Sequence, residues 1–204
     1  NAGNIYSWDP TTLAPSATPV CTSTDANFKS AYGVYVDGDS TSGTIWITSA
    51  ANAAAVWKFK IGTDTAPVKV WQTLGTTGRA IVKGPGGLLY GALEGSNLVV
   101  ALDPAVADSG SLPSTTTVAN LSVPKPFGLI FDGDTMYVNN SQDSKIYRYN
   151  VTLDNANVPS ISLVCEYLYS VVGTFFIGRD PEGNILSPFW GATRPQDGVV
   201  KITI

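Results

Sequence analysis

The sequence predicts an all-β fold in which one unit of short strands recurs along the chain. Each unit reads as strand, tight Gly turn, strand, polar loop and strand, and a fourth run rich in Val, Thr and Ile follows. The turns begin at Asp37, Gly84, Asp132 and Asp180, which are 47, 48 and 48 residues apart. Four strands in about 48 residues is the size of one propeller blade. We therefore expect a β-propeller with four-stranded blades.

The repeat divides the 204 residues into a single β-propeller domain with four to five blade equivalents. We expect full blades at 31–75, 76–123 and 124–170, a three-stranded last blade at 171–204, and a closing or partial blade at 1–30. The first strand of each unit starts with small residues and is apolar throughout, as in Gly33–Val36 and Gly128–Phe131. Such strands suit positions that crowd a central channel between neighbouring blades.

The two ends of the chain leave the closure of the ring open. Residues 4–10, "NIYSWDP", match a third strand, and residues 17–23, "ATPVCTS", match a fourth strand. In one closure the N-terminal outer strand completes the last blade of a four-bladed ring. In another, the N-terminal pair belongs to a separate blade of a larger ring. An intermediate alternative is a five-bladed ring with an irregular closing blade. We expect either an incomplete chain or a partner segment that finishes the ring.

Composition excludes several classes of protein. Apolar residues make up 44% of the chain and charged residues 14%, which excludes disorder driven by low hydrophobicity and high charge. The net charge is −4 and the 12 Lys and Arg residues are scattered, so we expect neither nucleic acid nor a membrane surface as a partner. No apolar run approaches the roughly 20 residues that span a bilayer.

The cysteines and the sequons bear on the cellular location. Cys21 and Cys165 are either two separate thiols or one long-range disulfide, which would suit a secreted protein. Three Asn-x-Ser/Thr sequons, at Asn120, Asn139 and Asn150, are candidate glycosylation sites. Together these features favour a secreted, extracellular glycoprotein.

One stretch resembles a known group of propellers. Residues 126–150, "PFGLIFDGDTMYVNNSQDSKIYRYN", resemble blades of the NHL-repeat, streptogramin-lyase and gluconolactonase-like (senescence marker protein) superfamily, and residues 173–204 look like a closing blade of that group. The resemblance implies the propeller fold, and gluconolactonase-like members have six blades. Fold does not specify activity, so the resemblance leaves the function open.

The resemblance also implies specific chemistry, from which this sequence departs. Gluconolactonase-like members hydrolyse lactones with a divalent metal, often calcium, at the channel mouth. The two motif positions that correspond here are Phe127 and Asn140. Phe cannot ligate a metal and Asn offers only a neutral carbonyl oxygen, so a calcium site at Asn140 and Glu94 would be degenerate. Streptogramin lyases use a His base, and this chain contains 0 His.

Loops carry function on propellers, and one face gathers the loops before the first strands and between the second and third strands. We call it the loop face. Its candidate ligand-binding residues are oxygen donors, cations and aromatic side chains, namely Glu94, Asn139, Asn140, Asp143, Arg79, Lys125, Phe127 and Trp190.

Three functions remain compatible with this set. We favour a secreted binding or interaction module for a carbohydrate-like or other small polar ligand on the loop face. The alternatives are a metal-dependent lactone hydrolase and a structural propeller that self-associates through its unfinished blade.

Overall fold

The structure is a computed structural model, and it describes residues 3–7, 11–12, 14–24, 28, 30–39, 42–50, 53–72, 74–108, 113–140, 142–143, 145–168, 176–189 and 198–203. Within these residues the chain forms 17 strands, arranged in five antiparallel sheets in which neighbours in sequence are neighbours in space. This architecture confirms the predicted all-β propeller, because each full blade is a four-stranded meander.

The strands follow the chain in order. The N-terminal sheet comprises β1 (Gly3–Ile5) and β2 (Cys21–Ser23). The first blade comprises β3 (Ala31–Gly38), β4 (Gly43–Ser49), β5 (Ala55–Ile61) and β6 (Val68–Trp71). The second comprises β7 (Gly78–Lys83), β8 (Leu89–Leu93), β9 (Leu98–Leu102) and β10 (Ala119–Ser122). The third comprises β11 (Pro126–Asp132), β12 (Thr135–Asn140), β13 (Lys145–Leu153) and β14 (Pro159–Leu168). The last sheet comprises β15 (Gly178–Arg179), β16 (Ile185–Phe189) and β17 (Gly198–Ile202).

An apolar core lies between each sheet and the next. Trp46 and Trp71 of the first blade pack in one cluster with Leu89 of the second. The second and third blades share another cluster, which includes Tyr90 and Met136. The central strands of the blades are buried on both faces, which explains their continuous apolar character. The sheets therefore stack face to face in chain order.

The packing at the two ends of this stack shows to which sheet the N-terminal strands belong. Cys21 of β2 shares a core cluster with Ile45 and Trp57 of the first blade. Ile185 of β16 shares one with Tyr137 and Ile146 of the third blade. The N-terminal pair thus forms its own sheet against the first blade, and β17 pairs only with β16 among the described strands. The closure in which the N-terminal outer strand completes the last blade is wrong for this structure.

The predicted turns are hairpins at the face opposite the loop face. Gly133, between β11 and β12, has φ +54°, which favours glycine at this position. At the corresponding turn of the last sheet, Asp180 accepts hydrogen bonds from the backbone N–H of Asn184 at 2.7 Å and from its side-chain amide. Lys201 pairs with the same carboxylate at 2.8 Å and, with the Asn184 hydrogen bonds, holds the pKa of Asp180 well below its ordinary value.

The cysteines form no disulfide. Cys21 lies in β2 and Cys165 in β14, at distant places in the stack, and both thiols are free. Of the two alternatives left open by the sequence, separate thiols are correct and the disulfide is wrong. Burial raises the pKa of the Cys21 thiol to about 11, so it is protonated at neutral pH.

Among the described residues there is no helix long and apolar enough to cross a membrane.

Candidate functional site at the channel mouth

The first strands of the three full blades and the start of the last sheet surround a channel of about 400 Å³. Its walls are built mainly from β3, β7, β11 and Phe176–Ile177, and they are lined by Tyr32, Gly33, Val34, Arg79, Ala80, Ile81, Val82, Phe127, Gly128, Leu129, Ile130, Phe176 and Ile177. Two glycines let the strands approach this closely. A Cβ at Gly33 would overlap the Arg79 carbonyl oxygen, and one at Gly128 would lie 2.9 Å from Ile177.

Arg79 is the central side chain at one end of this channel. Its guanidinium carbon lies 4.4 Å from the Tyr32 ring centroid and 4.5 Å from that of Phe127. These rings belong to the two blades that flank Arg79, so the cation bridges three blades. Arginine favours the faces of aromatic rings, and each such contact contributes about 0.5–2 kcal/mol. We call Tyr32, Arg79, Glu94, Phe127 and Phe176 the channel mouth.

Glu94 neutralises this guanidinium. Its Oε2 accepts hydrogen bonds from Nε and Nη2 of Arg79, both at 2.7 Å. The two side chains are only 17% and 19% exposed, which strengthens the pair relative to a surface ion pair. Glu94 begins a short 3-10 turn between β8 and β9, and its backbone N–H donates to the Thr77 carbonyl at 3.0 Å. The carboxylate is therefore held in place by its own backbone.

A hydroxyl group fixes the backbone behind the mouth. Thr48 Oγ1 accepts a hydrogen bond from the Gly33 N–H at 3.0 Å and donates one to the Arg79 carbonyl at 2.7 Å. The first strands of two blades are thus joined through one side chain. This connection holds the segments that carry Tyr32 and Arg79 in a fixed relation.

Two aromatic side chains leave apolar surface available at the mouth. Tyr32 is 49% exposed and Phe176 is 59% exposed. Phe127, which is only 6% exposed, supports Phe176 edge to face with ring centroids 5.7 Å apart. The mouth therefore presents aromatic surface around a rigid, neutralised cation.

The structure assigns Asn139 to the fold rather than to the loop-face surface. It is 0% exposed, its Oδ1 accepts a hydrogen bond from the Gly128 N–H, and its Nδ2 donates to the Phe176 carbonyl at 3.2 Å. The prediction that Asn139 binds a ligand is wrong, because both polar ends of the amide are used inside the protein. Glycosylation at Asn139 is wrong for the same reason, since a buried amide cannot carry a glycan.

Asn140 is also used internally. It is 2% exposed, and its Nδ2 donates to the Pro124 carbonyl at 3.1 Å. Its Oδ1 accepts the backbone N–H groups of Gln142 and Asp143 at 2.7 and 3.2 Å. The side-chain oxygen that Asn140 could offer to a metal therefore already has two donors. We therefore correct the prediction that Asn140 binds a ligand or a metal. Its side chain instead fixes the shape of its own loop.

The predicted calcium site does not fit these residues. Glu94 is committed to Arg79, and Asn140 to its own loop. Within the described part of the chain, no group of three or more His, Cys, Asp or Glu side chains is placed to hold a metal ion. Calcium favours several oxygen ligands, with carboxylates among them, so this pair does not make a gluconolactonase-type metal site.

Three residues of the predicted set remain, namely Asp143, Lys125 and Trp190. Asp143 accepts a hydrogen bond from the Tyr147 hydroxyl at 2.6 Å, and burial together with this bond raises the pKa of Tyr147 well above its usual range. Lys125 has φ +37° and donates its backbone N–H to Asn97 Oδ1, but it does not line the channel. Trp190 lies outside the described residues.

The structure brings together Arg79, Glu94 and Phe127 of the predicted set, and adds Tyr32 and Phe176. The repeat contained a signal for Tyr32, because Tyr32, Arg79 and Phe127 occupy the same position at the start of three successive blades. Equivalent positions of neighbouring blades meet around the channel. Phe176 falls one position further along the repeat, where the other blades have the small residues Gly33, Ala80 and Gly128.

The sheets, their order and the central channel define the class of protein as a β-propeller. No protein-family model matches the sequence, and no curated protein is significantly similar to it. Solved structures show what the fold resembles. Regucalcin from Agrobacterium tumefaciens, a calcium-binding protein, has a TM-score of 0.67 and 13% sequence identity, with 100% of this chain and 70% of that chain covered.

Two further structures share the fold. The periplasmic gluconolactonase from Pseudomonas aeruginosa has a TM-score of 0.54 at 12% identity, covering 97% of this chain and 77% of that chain. A catalytically inactive virginiamycin B lyase from Staphylococcus aureus, with quinupristin, has a TM-score of 0.53 at 14% identity. The match covers 86% of this chain, which spans 56% of the length of the lyase. The resemblance to gluconolactonase-like and streptogramin-lyase propellers is thus confirmed for the fold.

Proposed function

We propose that the protein is a binding module that accepts a small polar ligand, such as a carbohydrate ring, at the channel mouth. The observation that carries the proposal is the pair of exposed rings, Tyr32 and Phe176, beside a partly buried Arg79–Glu94 pair. Ligand pockets typically combine apolar walls with a few fixed polar groups in about 300–1,000 Å³. The channel, with its volume of about 400 Å³, falls in this range.

The chemistry of the mouth suits a sugar better than a purely apolar molecule. The C–H face of a pyranose packs on an aromatic ring, while its hydroxyl groups need hydrogen-bond partners. Arg79 has five N–H donors, and two of its nitrogens, Nε and Nη2, bind Glu94. Because the ion pair is already formed, the ligand need not order the guanidinium when it binds.

Saturation-transfer NMR with a panel of monosaccharides, sugar acids and sugar lactones tests this proposal. We expect at least one member to bind the wild-type protein and to lose at least tenfold in affinity in the Tyr32→Ala variant. Tyr6→Ala is the matched control, because Tyr6 is 48% exposed, like Tyr32, but lies next to β1. Equal affinity in both variants, or no binding by any member, would contradict the proposal.

The same panel separates the alternatives. A metal-dependent lactone hydrolase would convert a lactone in the presence of calcium and not after chelation. A purely structural propeller would bind no panel member and would associate with itself as its concentration rises, which sedimentation velocity measures.

Secretion is part of this proposal and rests on separate features. The sequon residues Asn120 and Asn150 lie on β10 and β13 and are both exposed, so each is accessible to a glycan. Expression in a secreting eukaryotic host, followed by intact-mass measurement with and without glycosidase, tests whether these sites are used.

A further inference from the structure

A second cavity, away from the channel mouth, lies between the third blade and the last sheet. Its volume is about 350 Å³, and it opens on the side of the hairpin turns. The side chains that line it are mostly polar, namely Asp132, Thr135, Tyr137, Arg148, Tyr167, Arg179, Glu182 and Gly183. We call it the interblade pocket. It contains none of the residues of the channel mouth.

Arg148 is the unusual group of the interblade pocket. Its Nε is buried without a hydrogen-bond partner, although a guanidinium keeps its charge at any ordinary pH. The neighbours that face it are hydroxyl and thiol groups, from Tyr137, Tyr167 and Cys165, and the guanidinium makes a hydrogen bond with the Tyr167 hydroxyl. No carboxylate among the described residues lies within ion-pair distance of Arg148. The guanidinium charge therefore has no matched anion within the protein, and its outer N–H groups line the pocket, where an anion can accept their hydrogen bonds.

The pairing between β13, which carries Arg148, and β14 has a local irregularity beside Arg148. Arg148 lies opposite Cys165, whereas the next residue, Tyr149, lies opposite Leu163, so Val164 is an extra residue in β14. Bulges of this kind re-aim side chains and are frequent beside functional sites. Across β12, Arg148 lies opposite Tyr137, which brings a second hydroxyl group to the same region of the sheet.

The opposite wall supplies a second guanidinium that is already held in place. Arg179 donates from Nε to the Gly183 carbonyl at 3.0 Å, and its Nη1 lies 3.0 Å from Asp132 Oδ1. Its partner Asp132 is thereby neutralised. The other carboxylate that lines the pocket, Glu182, is 70% exposed and lies 3.8 Å from Lys201. Arg148 is therefore the charge that remains to be matched.

We propose that the interblade pocket binds a small oxyanion, such as phosphate or a carboxylate, with Arg148 as its main ligand. Arg179, whose charge Asp132 matches, adds further N–H donors to the wall, and the Tyr137 and Thr135 hydroxyl groups also line the pocket. Burial raises the pKa of Tyr167, so its hydroxyl stays protonated, and its hydrogen bonds to Cys165 and Arg148 hold the guanidinium in place. A volume of about 350 Å³ also admits a group attached to the oxyanion, such as a phosphate monoester. This site is independent of the function proposed for the channel mouth.

Thermal unfolding with inorganic phosphate and with acetate, each against sodium chloride at matched ionic strength, tests the site. At about ten times its dissociation constant, a bound oxyanion raises the melting temperature of a domain of this size by roughly 3–6 °C. We expect this rise in wild-type protein for at least one probe, and expect Arg148→Gln to abolish it.

The control variants separate a specific site from a general charge effect. Lys145→Gln removes one positive charge from the same strand, but Lys145 pairs with Glu166 at 2.8 Å and does not line the pocket. It should keep the full response, and so should Arg79→Gln at the channel mouth. Should Arg148→Gln not fold, Arg148→Lys replaces it, with at least a threefold loss of oxyanion affinity expected. The proposal is overturned when neither probe stabilises the wild type, or when the Arg148 variant responds as the wild type does.

Discussion

Arg79 and Arg148 are both arginines between sheets of the propeller, but their surroundings differ. Arg79 has a carboxylate, Glu94, at 2.7 Å and two aromatic rings within 4.5 Å. Arg148 has hydroxyl groups around it, a buried Nε without a partner, and no carboxylate partner in the part of the chain that the structure describes. From this difference we infer that Arg79, with its matched anion, belongs to the fold, whereas Arg148 is the arginine open to an anion from solution.

The largest expected effect comes from removing each guanidinium in turn. Arg79→Met loses a half-buried ion pair and two cation–π contacts, so we expect the free energy of unfolding to fall by about 2–3 kcal/mol. Arg148→Met loses no ion pair among the described residues, so we expect its free energy of unfolding to fall much less than that of Arg79→Met. Urea unfolding of both variants measures the two values. If Arg148→Met lost as much free energy of unfolding as Arg79→Met, the two arginines would not differ in their contribution to stability.

A smaller effect is expected when only the partner of Arg79 is neutralised. Glu94→Gln leaves the guanidinium between its rings but without an anion, as Arg148 is in the native protein. We expect the free energy of unfolding to fall by about 1–2 kcal/mol. We also expect phosphate to stabilise Glu94→Gln more than it stabilises the wild type, and expect no such gain in Arg79→Gln, which has no guanidinium at this position. Unfolding in chloride and in phosphate at matched ionic strength measures both effects, and Glu166→Gln serves as the control because its Lys145 pair is more exposed. If phosphate stabilises Glu94→Gln no more than it stabilises the wild type, then removing the carboxylate partner is not enough to make an arginine bind an anion.

The smallest effect concerns the turn that supports one wall of the interblade pocket. The pKa of Asp180 is lowered in the folded state, chiefly by Lys201, so its contribution to stability is complete above its ordinary pKa of 3.8. That contribution is lost as pH falls through the depressed value. We therefore expect Asp180→Asn to melt below the wild type at pH 7, and the difference to shrink only below about pH 4. Melting curves between pH 2 and 7 would contradict the assignment if the difference vanished already at pH 6.

The sequence predicted the fold well because the repeat is regular. The turn positions Asp37, Gly84, Asp132 and Asp180 recur at a nearly constant spacing, and the hairpins lie where these residues indicate. The closing of the N-terminal strands could not be predicted, since β1 and β2 are short and their pattern fits two different partners. Only the packing of Cys21 against the first blade distinguishes these partners.

The candidate site was predicted in part. The position shared by Arg79 and Phe127 in the repeat placed them together, but the burial of Asn139 and Asn140 could not be read from residue types. Amide side chains occur both as ligands and as internal braces for loops, and only their hydrogen-bond partners decide which role applies. The interblade pocket was missed because it depends on a bulge in β14 and on contacts between distant strands.

We propose that the channel mouth binds its ligand through Tyr32, Arg79 and Phe176, without a metal held by Asn140 and Glu94. Thermal unfolding of chelator-treated protein, with and without millimolar calcium, tests it most directly. We predict no change in melting temperature, because both potential ligands are committed to internal partners. A calcium site filled to 100 times its dissociation constant would raise the melting temperature by about 5–10 °C. A rise of that size, abolished by Asn140→Ala, would contradict the account and restore the metal-dependent hydrolase as the leading function.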